Sequence, residues 1–186
     1  MLLSLLFLSG GFAFGQTKYE REYRIREDAV PGPALEFVNA LKLEGKVKWY
    51  MEEGLGQKSI EAKAKHRKKR YSIEFDLSGT LQDMEVEIRR DEVDEMALKH
   101  IDATFNKDFD RYKITKIQTQ YSGESAALLR LAHSGGLEEG ITKRYEIIVR
   151  GRKEGSTHFY EYTFTAQGDF LHRATIVLRN ADNLEF

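Results

Sequence analysis

The sequence predicts an α+β fold, two repeats of a helix packed on a four-stranded antiparallel meander sheet. Two observations predict it. Apolar residues recur at helical spacing in two places, each followed by segments in which apolar and charged residues alternate. Tyr71, Phe75 and Gly79 correspond to Tyr160, Phe164 and Gly168 at one constant offset of 89 residues, in the same strand-turn-strand context. The absence of cysteine removes disulfides from the list of constraints that hold the fold.

Residues 1–15 read as a signal peptide. The run from Leu2 to Phe14 is almost wholly apolar, and Ala13-Phe14-Gly15 places small residues before a cut ahead of Gln16. At roughly 13 residues the run is shorter than the about 20 that a spanning helix needs. No Lys or Arg precedes it. Residues 16–32 form a charged lead-in that Pro31-Gly32-Pro33 ends.

The first module covers residues 33–90. Leu35, Phe37, Val38 and Leu41 give a short amphipathic helix that Gly45 stops. Val47, Trp49 and Met51 then share one strand face. Ile60, Ala62 and Ala64 alternate with Glu61, Lys63 and Lys65, and Tyr71, Ile73 and Phe75 return as the second arm of a hairpin. Gly79 supplies a turn with positive φ, and Met84, Val86 and Ile88 form the last strand.

The second module covers residues 91–186. Asp91, Glu92, Asp94 and Glu95 favour the positive end of a helix continued by Met96, Leu98, Ile101 and Phe105. Alternation returns through Tyr112, Ile114, Ile117 and Tyr121, then Tyr145, Ile147 and Val149, then Tyr160, Tyr162 and Phe164. Residues 123–140 are an insertion whose Ala126, Ala127, Leu128, Leu129, Leu131 and Ala132 favour helix.

Val47-Lys48-Trp49, the run from Tyr71 through Asp76 and Gly79 to Leu81, and Glu85-Val86-Glu87-Ile88 resemble the PepSY-like family of exported bacterial proteins, also described as beta-lactamase-inhibitor-protein-like. Tyr145-Glu146-Ile147, Tyr160-Glu161-Tyr162-Thr163-Phe164 and the closing Asp182-Asn183-Leu184-Glu185-Phe186 look like a second copy and its tail. The resemblance implies a helix on an antiparallel sheet, a periplasmic or secreted setting, and binding or inhibitory roles. The family's phenylalanine-proline pair after the helix is replaced here by Leu43-Glu44-Gly45, and fold likeness does not transfer function.

Chemistry-bearing patterns are sparse. His66, His100, His133, His158 and His172 are scattered, and none forms a metal-ligand pair at helical spacing. No serine sits in a nucleophile elbow, and no glycine-rich phosphate loop or calcium loop is present. These patterns imply no catalytic residue, no metal and no cofactor. The 29 basic and 30 acidic residues nearly cancel, so no global field favours nucleic acid. The basic run that includes Lys68, Lys69 and Arg70 is read most simply as a hairpin tip that discourages edge pairing, with an anion-facing patch as the alternative. Tyr50, Tyr160 and Tyr162 are candidates for an aromatic binding surface.

The expected function is therefore a non-catalytic extracytoplasmic module that binds a protein or peptide, with inhibition of an extracytoplasmic hydrolase as the alternative. No nucleic acid is expected as partner, and no membrane insertion after signal cleavage. Expression with export should yield a chain whose intact mass begins at Gln16; a mass that retains residues 1–15 contradicts the signal assignment.

Overall fold

The structure is a computed structural model and describes residues 16–18, 21–54, 57–136 and 139–177. The expected signal peptide and the tail from 178 onward lie outside the described residues. In chain order the strands are β1 (Gln16–Lys18), β2 (Arg21–Ile25), β3 (Lys48–Glu53), β4 (Lys58–His66), β5 (Lys69–Phe75), β6 (Leu81–Glu87), β7 (Arg111–Ser122), β8 (Thr142–Lys153), β9 (Ser156–Thr165) and β10 (Phe170–Ile176). The helices are α1 (Gly32–Ala40) after β2, α2 (Glu95–Asp108) after β6, and α3 (Ser125–Ser134) between β7 and β8.

All ten strands form one sheet in the order β1-β10-β9-β8-β7-β6-β5-β4-β3-β2. From β2 to β10 every neighbouring pair is antiparallel, and the three-residue β1 joins β10 in parallel. This corrects the expectation of two four-stranded modules. The expected end of the first meander, β6, is not an edge, because the far end of the 12-residue β7 pairs with it: Met84 faces Tyr121 and Val86 faces Thr119. Pairing there satisfies the backbone donors and acceptors that a free edge would leave to solvent. The segment read as a lead-in also contributes a strand, since β2 pairs with β3 from Arg21↔Glu53 to Ile25↔Trp49. Dispersed charges on an edge strand hid that strand from a periodicity reading.

Each helix starts where local chemistry allows. Pro33 lies in the first turn of α1, where its missing N–H costs nothing. Asp94 caps α2 by accepting from the Met96 and Ala97 amides at 3.0 and 3.1 Å. Gly135, at φ 75°, ends α3 with its amide donating to the Leu131 carbonyl at 2.8 Å.

The three helices lie on one face of the sheet. Ile25, Trp49, Ala62, Ile73, Met84 and Tyr121 stand opposite one another across six successive strands and therefore share that face. Phe37 of α1 meets Phe75 edge-on at 5.9 Å, and Trp49 packs beside Phe75. Under α2, Phe105 meets Tyr162 and Phe164 edge-on at 5.0 and 5.6 Å. The α3 residues Leu128 and Leu131 belong to the cluster around α1, although α3 follows β7 in sequence. The two halves are thus tied by a shared core as well as by the sheet. Met96, expected inside α2, is 59% exposed, and Ala97 takes the inward position.

The tight turns before β6 and β10 set how closely two helices approach. Gly79 and Gly168 both adopt φ 86°. A Cβ on Gly168 would lie 2.3 Å from the Ala97 carbonyl oxygen, and one on Gly79 would lie 2.9 Å from the Pro31 side chain. Gly135 also has positive φ, but a Cβ there meets open space. Gly135→Ala should therefore cost only the left-handed penalty of about 1–2 kcal/mol, while Gly168→Ala should add about 1–3 kcal/mol of overpacking. Urea unfolding of the two variants measures the difference; equal losses contradict the close docking of α2.

Candidate functional site

The opposite face of the sheet carries no helix among the described residues. Its side chains are the alternates of the core positions; over β3 to β7 they are mostly polar, while Ile148, Phe159, Ala174 and Ile176 share the same face over β8 to β10. Tyr50, Glu61, Glu74 and Asp83 form one row across β3 to β6. Lys48, Lys63, Ser72, Glu85 and Gln120 form the next, across β3 to β7. Lys65 and Arg70 face each other in the row beyond.

A cavity of about 370 Å³ opens over this face. Six cationic side chains line it, Lys46, Lys48, Lys63, Lys65, Arg70 and Lys116, against two carboxylates, Glu22 and Glu87. Tyr50, Ser72 and Gln118 add an aromatic wall and neutral hydrogen-bonding groups. A second cavity of about 270 Å³ is lined by Glu52, Glu74, Lys58, Gln57, Ser59 and Gln82 among others, so its charge leans acidic. The face is thus divided by charge.

A buried ion network underlies the basic cavity. Glu61 is only 8% exposed and sits on the helix-free face. Its Oε1 accepts from the Ser72 hydroxyl, and its Oε2 lies 2.9 Å from Lys63 Nζ. Lys63 Nζ also donates to Glu22 Oε2 at 2.6 Å and lies over the Tyr50 ring at 5.1 Å. Burial pulls the Lys63 pKa down, but Glu61 and Glu22 outweigh it and hold the ammonium above its ordinary range. Carboxylate oxygens of Glu22, Glu52 and Glu61 lie within 4.8 Å of one another. Because Lys63 already bonds two of these groups, the cluster carries its own cation. Beside it, Gln118, 4% exposed, donates to Glu85 at 2.6 Å, and Gln120 donates to Asp83 at 3.1 Å. These bonds fix the floor of the face in one arrangement.

The residues singled out in the sequence scatter. Tyr50 and Arg70 line the basic cavity, and Arg70 pairs with Glu87 at 3.3 Å. Lys68 occupies the two-residue β4–β5 turn with Arg67, both at positive φ, and is exposed away from the cavity lining. Lys69 bonds Glu92 at 2.7 Å, so it ties the hairpin tip to the entry of α2. Tyr160 and Tyr162 are corrections. Both stand on the helix face, because they share the phase of Phe164; Tyr160 packs on Phe109 at 5.1 Å, and Tyr162 is fully buried. The Tyr162 hydroxyl donates to Asp108 at 2.7 Å, and burial together with that carboxylate raises its pKa. Lys46, Lys48 and Lys116 were missed. The available signal was phase: Lys48 alternates with Trp49, so the burial of one projects the other onto the opposite face.

No family model matches this sequence, and no curated protein matches it. Among solved structures, the crystal structure of a DUF2874 family protein from Bacteroides ovatus is similar to it, with a TM-score of 0.54 and 11% identity. The match covers 84% of this chain and 94% of that one. At that identity the likeness is one of fold.

Replacing Lys63 by methionine leaves Glu61 buried without its cation. Lys63→Met should cost about 2–3 kcal/mol, below the full value for a buried pair because the lysine keeps some solvent contact. Adding Glu61→Gln should recover part of the loss. With the folded pKa of Lys63 raised, its contribution is complete below the unfolded value of about 10.4 and is lost only as pH rises through the folded one. Urea titrations should therefore find the Lys63→Met deficit constant from pH 7 to about pH 10. A deficit that fades below pH 9 contradicts the network.

Proposed function

We propose that the protein is a non-catalytic extracytoplasmic binding module that recognises a protein or peptide segment on the helix-free face of its sheet. The observation that carries this reading is the basic cavity bounded by Tyr50, set on a face whose floor is held rigid by buried polar bonds. A rigid floor lowers the ordering cost of binding, and an aromatic wall offers apolar contact next to charged groups. The non-catalytic part rests on the pairing of the lining carboxylates, Glu22 with Lys63 and Glu87 with Arg70, which ties them up as counter-ions. The extracytoplasmic part rests on the apolar leader and the lack of cysteine. A PepSY-like affiliation belongs to the same proposal and rests on the strand-and-turn segments around Trp49, Tyr71 and Gly79.

Selection of a displayed random-peptide library on the protein tests the reading. Saturable binders should emerge, and Tyr50→Ala or Lys65→Glu should weaken them about tenfold, the loss expected for one buried contact of about 1.4 kcal/mol. Binders that ignore both variants but respond to Met96→Glu on the exposed side of α2 place recognition on the other face. Absence of any saturable binder overturns peptide recognition altogether.

A further inference from the structure

We propose that the larger cavity selects acidic peptide segments, with Lys46, Lys48 and Lys65 receiving the carboxylates. This rests on the peptide-binding reading above and deepens it. The cations in the cavity divide into two kinds. Lys63 and Arg70 are engaged with Glu22, Glu61 and Glu87 and serve the protein's own network, and Lys116 is likewise engaged. Lys46, Lys48 and Lys65 are exposed and make no ion pair among the described residues, so their charge is available to a ligand.

The fold places these three together. Lys48 lies directly opposite Lys63 on the neighbouring strand, and Lys65 follows Lys63 by two residues on the same face. That spacing is about 7 Å along the strand, close to the repeat of alternate side chains in an extended peptide. Lys46 comes from the loop entering β3, where the Gly45 amide donates to the Lys65 carbonyl at 2.9 Å and pins the loop over the cavity rim. Like charges held this close repel one another, and a bound carboxylate relieves that repulsion.

The surroundings favour a polypeptide over a uniform polyanion. A polyanion long enough to cross the face would meet Glu74, Glu85, Glu87 and the acidic second cavity, and the chain as a whole carries a net charge of -1. A peptide with two or three acidic residues fills the cavity of about 370 Å³ and leaves the acidic region to other side chains. Tyr50 at the wall suits the apolar parts of such a segment.

Isothermal titration calorimetry on the full chain decides the matter with three probes: hexaglutamate, hexaglutamine and a heparin hexasaccharide. Hexaglutamate should bind at least about tenfold more tightly than hexaglutamine, and the preference should shrink with added salt. The triple variant K46Q/K48Q/K65Q should abolish that preference; these are exposed residues, and unchanged thermal unfolding confirms that the fold is retained. Equal binding of the two peptides overturns acidic selectivity while leaving peptide recognition standing. Heparin binding without either peptide overturns both. A preference for hexaglutamate that survives the triple variant overturns the assignment to these three lysines.

Discussion

One constraint organises the molecule: among the described residues, nine antiparallel strands in a single sheet receive the three α-helices on the same side. A strand side chain has two directions to take, and burial of one set dictates exposure of the other. Trp49, Ile73, Met84, Tyr145 and Phe164 therefore commit Tyr50, Ser72, Glu85 and Glu146 to the uncovered face. A one-residue slip in any strand would bring charges under the helices, so the aromatic core sets the register of the charged surface as well as the stability of the fold.

The uncovered face is more than a solvated exterior. Glu61, Gln118 and Ser59 are buried there, and Glu61 depends on Lys63 for its charge balance. Burial of polar groups without a helix above them means that the side chains of that face cover one another. The resulting lattice separates a basic cavity from an acidic one. Such a surface discriminates by charge arrangement, since a partner whose charges are misplaced meets repulsion across the same area.

Much of the strand pattern was legible in the sequence, because alternation is a local signal. Tyr71, Ile73 and Phe75, and again Tyr145, Ile147 and Val149, face the helices as their phase requires. The offset of 89 residues picked out two turns that the fold uses alike, since Gly79 and Gly168 adopt the same φ and each closes under a helix start. What periodicity could not supply was pairing between distant strands. The β6–β7 ladder joins segments more than 30 residues apart, and β2 is too charged to announce itself. The same limit explains the candidate site. Tyr160 and Tyr162 were weighed as surface residues although their phase with Phe164 marks them as core, whereas Lys46, Lys48 and Lys116 meet only through cross-strand geometry.

The most direct test of the helix-free face as the working surface is lysine-acetylation footprinting, read by mass spectrometry, of the protein alone and saturated with a bound peptide. Protection of Lys46, Lys48 and Lys65, with Lys99 and Lys107 on α2 unchanged, is the result this structure predicts. Protection of Lys99 and Lys107 with the cavity lysines still reactive would contradict it, and would place recognition on the helical side.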